Sequence, residues 1–239
     1  MLDTLLSDYQ VRKSKKQKHR FTDFVQELCV QSGLPFHIED DKGLIHNRNI
    51  IVGDVKKARI IFTAHYDTCA RMPFPNFHTP KNIFFFIVYQ ILLVGFIGAF
   101  GMGVACLFAL FLSGVDFFSG MFFFNIAYFV AMIFLLQILI GYPNKHTAND
   151  NTSGVATLLS LMQSIPAAER DKVAFVFFDN EEIGLMGSSA FKKRYRSEMA
   201  NKLLINFDCV SDGDHFLFVS KKKAIHSEEY PLLKRIIEE

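Results

Sequence analysis

Ala148-Asn149-Asp150-Asn151-Thr152-Ser153-Gly154 is the stretch whose reading decides how this 239-residue chain folds. Ahead of it lies a long segment with almost no charge. Behind it Val155, Leu158, Leu159, Leu161 and Met162 set an apolar helical pattern. A carboxylate on a loop that opens into a helix N-terminus is placed to hold a cation while its neighbours cap the helix. Taken alone, the stretch also reads as an ordinary Asx-Ser-Gly turn. Its company makes it informative: His65-Tyr66-Asp67 lies upstream, Glu181-Glu182 and Asp208 downstream, each next to a strongly apolar run.

Those runs are Arg59 to Ala64, Val173 to Phe178 and Leu203 to Phe207, compact enough to be buried strands. Phe36 to Glu39 and Asn49 to Val52 read as a hairpin turning at Asp40-Asp41-Lys42-Gly43, and His215 to Ser220 as a further strand. Helices are expected over residues 1–32, stopped by Gly33-Leu34-Pro35, then over 152–165, 184–196 and 228–237. The fold class is therefore α/β, a mixed, mostly parallel sheet flanked by helices. The basic run from Arg12 to Arg20 reads as a solvated helix face or as a contact for an anionic membrane surface.

Between the His65 and Asp150 signals the composition changes. Residues 83–142 hold 14 of the 27 Phe and one formal charge, Asp116. A membrane span needs roughly 20 apolar residues, so 83–112 and 121–141 read as an inserted two-helix transmembrane hairpin. Lys81 and Lys145 flank its outer ends, which places both ends in the cytoplasm and the loop at Asp116 outside. Gly95, Ala99 and Gly103 recur every fourth position, a pattern that lets membrane helices approach closely.

The remaining composition excludes more than it suggests. A net charge of +2 from scattered, interleaved residues argues against a nucleic-acid partner. Cys29, Cys69, Cys106 and Cys209 show no paired spacing, and thiols beside the candidate site suit a reducing compartment. Asp3 and Asp8 interrupt any signal-peptide pattern.

Ligands of open α/β sheets bind at the carboxyl ends of the strands, so the residues ending the three runs can converge. One His with carboxylates suits zinc, and less often manganese or cobalt; a shared carboxylate is the usual bridge between two ions. Of two adjacent Glu on a strand-end turn, one can ligate while the other serves as general base.

In these residues the chain resembles the dinuclear zinc aminopeptidase-type exopeptidases, the family that includes glutaminyl cyclases and transferrin receptor. Ala64-His65-Tyr66-Asp67-Thr68 is similar to its H-x-D motif, and Asn149 to Gly154 to its bridging-Asp loop. Asp179-Asn180-Glu181-Glu182-Ile183-Gly184 is similar to its Glu-Glu motif, and Phe207-Asp208-Cys209-Val210 to its late Asp. The resemblance implies that His65 and Asp208 bind one zinc, Glu182 the other, and Asp150 both, with Glu181 as base and Asp67 orienting His65. It also implies a cis peptide after Asp150. The expected layout is residues 1–80 as the first part of an α/β peptidase domain, 81–142 as the hairpin, and 143–239 as a remainder cut short at its C-terminus.

Two features depart from the family pattern: the hairpin, and a last zinc-binding His that the family places well beyond the late Asp. Only His215 and His226 follow Asp208 here, neither at the family's position, and His146 lies upstream. Two zincs are expected from the resemblance and one is plausible for this chain. The expected activity is hydrolysis of N-terminal residues from a peptide substrate, at a cytoplasm-facing site tethered to the lipid of the plasma (inner) membrane. Two alternatives are a metal-poor, inactive relative that binds peptides or proteins, and a glutaminyl cyclase-like acyltransferase.

Overall fold

A computed structural model describes residues 1–43, 45–74, 82–111 and 120–238. In chain order the elements are α1 (Leu2–Asp8), α2 (Lys15–Ser32), β1 (Phe36–Lys42), β2 (His46–Gly53), β3 (Ile60–His65), α3 (Ile83–Phe111) and α4 (Gly120–Ile140). There follow α5 (Gly154–Ser164), β4 (Val173–Phe178), α6 (Met186–Arg194), β5 (Leu203–Asn206), α7 (Lys222–Ile225) and α8 (Tyr230–Glu238). The chain divides into two compact units, one formed by Met1–Cys69 with Pro143–Glu239 and the other by Ala70–Tyr142.

The first unit is built on a five-stranded mixed sheet of order β1-β2-β4-β3-β5. β2 runs antiparallel to both β1 and β4, while β3 lies parallel to β4 and β5, so four of the five strands point the same way. In β4, Phe175 and Phe177 face a core with Phe21, Val25, Leu158 and Met162 from α2 and α5. Ala174, Val176 and Phe178 face the other side, against Ile61, Phe191 and Tyr195. Both faces are covered, which is why these strands read as continuous apolar runs rather than alternating ones. Parallel register aligns the carboxyl ends: His65 pairs with Phe178, and Thr63 with Asn206. The residues that follow each strand therefore emerge along one edge.

Three expectations for this unit need correction. Residues 1–32 are not one helical run, because Ser14 caps α2 in a reciprocal capping box with Gln17 and the chain at 9–14 is non-helical. Arg12 is not a solvated basic residue: it turns inward and is fully buried. His215 to Ser220 forms no strand, and Phe216 and Val219 stand 79% and 75% exposed. β5 is only four residues long and hydrogen-bonds to β3 alone among the described strands, so that stretch has no ladder to join.

In the second unit α3 and α4 lie side by side, with the Phe100 and Phe134 ring centroids 6.4 Å apart. Ile83–Leu110 is long and apolar enough to cross a membrane, and Phe124–Ile140 is a shorter apolar helix. Asp116 and Lys81, on which the orientation rests, lie outside the described residues, as does Leu112. The small-residue contact differs from the expected one. A Cβ built on Gly95 or Gly103 meets nothing, whereas one on Gly101 comes 2.9 Å from the Ala127 Cα. With Ala105 buried one turn on, the close face runs through Gly101 and Ala105, on nearly the opposite side of α3 from Gly103.

Candidate metal centre

The four sequence signals converge at the carboxyl edge of the sheet. His65 is buried, and its Nε2 lies 3.3 Å from Asp150 Oδ1 and 3.6 Å from Asp208 Oδ1. Its Nδ1 lies 3.1 Å from the Asp67 backbone carbonyl, an acceptor only, so Nδ1 carries a proton and Nε2 faces the carboxylates. Two overlapping groups offer ligand atoms all within 4.8 Å of one another: His65 with Asp150 and Asp208, and His65 with Glu181 and Glu182. His146, His215 and His226 fall in neither group among the described residues.

The candidate ligands are held in place by hydrogen bonds of the motif residues around them. The Asp150–Asn151 peptide is cis. Asn151 is fully buried and spends its amide on four neighbours. Its Oδ1 accepts from the Gly154 and Cys209 N–H groups, and its Nδ2 donates to the Phe207 and His65 carbonyls. Gly154 is required here, since a Cβ would lie 2.5 Å from both Asn151 Oδ1 and the Phe207 carbonyl oxygen. Asn149 Oδ1 accepts from the Ser211 N–H at 3.1 Å, and Ser153 Oγ from the Val210 N–H at 3.0 Å, which ties the loop to the segment after Asp208.

Asp67 does something different from the expected contact with the imidazole. Its Oδ1 lies 3.6 Å from His65 Nδ1, too long for a hydrogen bond. Its two oxygens instead accept from the Glu181 N–H at 2.9 Å and the Glu182 N–H at 3.2 Å, so Asp67 fixes the Glu-Glu turn beside His65. Behind that turn Lys18 Nζ reaches Asp179 Oδ1 at 2.6 Å and Asn180 Oδ1 at 2.7 Å. Arg12 and Lys18 were missed by sequence reading. The only available signal was the capping box after Arg12, which puts that residue outside α2.

Electrostatics mark the cluster as short of cations. Burial lowers the pKa of His65, but Asp150, Asp208 and Asp67 outweigh it and hold the imidazole well above its usual range. Burial, then the charge of Asp150, pushes Glu182 up to about 8. Burial also raises Glu181, with Asp67, Asp208 and Asp150 adding to the effect against His65. Asp67 goes the other way: burial raises it, but His65, Lys18 and the Glu181 N–H leave it below its ordinary value. Glu182 Oε1 is buried without a hydrogen-bond partner. An orphaned carboxylate oxygen among imidazole and carboxylate donors fits a hard or borderline divalent cation.

Residues 138–238 match the model of peptidase family M28. The matched residues include Asp150, the Glu181-Glu182 turn and Asp208. The match supports a peptidase-like function. No curated protein sequence matches the chain. Among solved structures, Macrostomum lignano glutaminyl cyclase is similar over 98% of this chain and 59% of its own, at 13% identity and a TM-score of 0.50. Legionella pneumophila LapA aminopeptidase aligns with 87% of this chain and 41% of its own, at 13% identity and a TM-score of 0.42. At such identity the first likeness shows the fold, and the chain spans 59% of that cyclase's length.

Proposed function

We propose that the chain is a membrane-tethered, zinc-dependent metallopeptidase of M28 type that removes N-terminal residues from peptides. The observation that carries this reading is the meeting of His65 Nε2, Asp150 and Asp208 beside a buried Glu182 oxygen that has no partner. His65, Asp150 and Asp208 would hold one ion; Asp150 and Glu182 would contribute to a second. Zinc, when bound there, polarises a substrate carbonyl and makes water a competent nucleophile near neutral pH. Glu181, its carboxyl raised by burial among other acids, takes the proton of the attacking water and delivers it to the leaving amine. Asp67 holds Glu181 in place through its backbone N–H. The tether is the hairpin of α3 and α4, in which Ile83–Leu110 of α3 is long enough to span a bilayer. We place the peptidase unit in the cytoplasm and the tether in the plasma (inner) membrane; a cysteine at Asp116 then labels from outside and one at Lys145 does not.

The test uses the full chain in detergent micelles, with zinc content and aminoacyl-amide hydrolysis measured side by side. His65→Ala should lose zinc, while Glu181→Gln should keep zinc and lose hydrolysis. Hydrolysis that survives Glu181→Gln, or zinc that survives His65→Ala, overturns the reading. Zinc and peptide binding with no turnover would favour the inactive relative, and cyclisation of N-terminal glutamine the cyclase branch.

A further inference from the structure

Arg12 has no part in the chemistry above, yet it is the largest fully buried side chain in the first unit. It lies in the non-helical link between α1 and α2. Burial lowers its pKa to about 10, so the guanidinium remains charged at neutral pH. Among the described residues its hydrogen-bond partners are neutral oxygens. Nε donates to the Tyr66 carbonyl, and Nη1 to the carbonyls of Tyr9 and Gln10. Both Nη1 and Nη2 lie 3.1 Å from Thr152 Oγ1. Its backbone N–H donates to Thr68 Oγ1 at 3.0 Å, and Thr147 Oγ1 donates to the neighbouring Gln10 carbonyl at 2.6 Å.

Tyr66 stands between His65 and Asp67, and Thr152 follows Asp150 by two residues. One planar fork therefore grips two of the three segments that carry the proposed ligands of the first ion, the His65 turn and the Asp150 loop. We infer that Arg12 is a positioning residue that fixes the spacing between the His65 turn and the Asp150 loop, and thereby sets how tightly the centre holds a divalent cation. The inference rests on the metal reading proposed above. A rigid fork with several donors holds two acceptors in a fixed relation, which a flexible ammonium does less well. Metal centres lose affinity when ligands drift, and groups that orient ligands from outside typically matter by about 10- to 100-fold.

Cobalt(II) is the probe, because its visible absorption reports coordination as well as affinity. Full-length chain in micelles is titrated as wild type, Arg12→Met, Arg12→Lys, Thr152→Val, Thr152→Ser and Phe191→Leu. Phe191 packs in the core on the other face of the sheet and controls for lost stability alone. Arg12→Met and Thr152→Val should bind cobalt at least about tenfold more weakly with an altered spectrum. Thr152→Ser keeps the acceptor and should recover the affinity, and Arg12→Lys should recover only part of it. Phe191→Leu should lower the unfolding midpoint with the cobalt spectrum unchanged. If Arg12→Met does not fold, the contrast between Thr152→Val and Thr152→Ser decides. Folded Arg12→Met or Thr152→Val with wild-type affinity and spectrum overturns the inference while leaving the metal reading standing. A wild-type chain that binds no cobalt overturns the metal reading and the inference with it.

Discussion

Replacing Lys18 by Met tests how the Glu-Glu turn is supported. Lys18 and Asp179 form an ion pair at 2.6 Å, with side chains 15% and 4% exposed. Removing one partner of a buried pair strands the other charge and typically costs about 3–5 kcal/mol. Asp179 would keep the Arg48 N–H at 3.0 Å and the Asn180 N–H at 2.9 Å, so the lower end, about 3 kcal/mol, is expected. The loss should depend on pH in a defined direction. Burial raises the Asp179 carboxyl above its ordinary value, with Lys18 the largest opposing influence. A carboxyl whose folded pKa exceeds the unfolded one binds its proton more tightly when folded. Its contribution is full below the unfolded value of about 3.9 and declines as pH rises through the folded value. Without Lys18 the folded value moves further up and the decline continues longer. The deficit of Lys18→Met should thus be small near pH 4 and full by pH 8. Guanidinium unfolding in micelles, followed by near-UV circular dichroism of the buried tyrosines, measures it at both pH values. Equal deficits at pH 4 and pH 8 would refute the reasoning, because they would mean that packing, not charge, was lost.

Three further outcomes are expected. Asp67→Asn keeps an acceptor for one of the two N–H groups and turns an NH₂ on the other, costing about 2 kcal/mol of stability and about tenfold in cobalt affinity; unchanged affinity would show that the Glu-Glu turn holds itself. The Glu182 carboxyl, pushed up to about 8, is mostly protonated at pH 7, so metal uptake should release it. Calorimetry in buffers of different ionisation enthalpy should find about one proton fewer released at pH 7 by Glu182→Gln, and no difference above about pH 10. In a Cys106→Ser background, Gly101→Cys with Ala127→Cys should cross-link readily, and Gly95→Cys with Ala127→Cys should not, because only Gly101 meets Ala127.

The strands and the clustering of His65, Asp150, Glu181, Glu182 and Asp208 were legible because both leave local marks. Val173 to Phe178 could only be a strand covered on both faces, and a parallel neighbour then had to bring His65 to the same edge. What was not legible depended on partners distant in sequence. The Ser14–Gln17 capping box sets Arg12 outside α2, but Tyr66 and Thr152, which turn it inward, lie 54 and 140 residues away. Gly95, Ala99 and Gly103 form a regular stripe, but which face of α3 meets α4 is fixed by where Ala127 sits. His215 to Ser220 has the apolar content of a strand and lacks the neighbour that would make it one. The role of Asp67 was half legible: its motif position announces a tie to the site, while the identity of the donors, Glu181 and Glu182, needs the fold.

These ties bear on how metal and folding are linked. In small zinc domains the ligands come together only when metal binds, so binding energy is folding energy. Here the segments that carry the candidate ligands are fastened to one another by protein hydrogen bonds. Asn151 joins the Asp150 loop to the ends of β3 and β5, Asp67 joins the His65 turn to Glu181 and Glu182, and Asn149 joins the loop to Ser211. Arg12 spans the His65 turn and the Asp150 loop. What remains unfavourable is charge: buried carboxylates crowd around one imidazole, and Glu182 and Glu181 respond by holding protons more tightly. A cation in the proposed centre competes with those protons, so its affinity should rise with pH through the range in which Glu182 titrates.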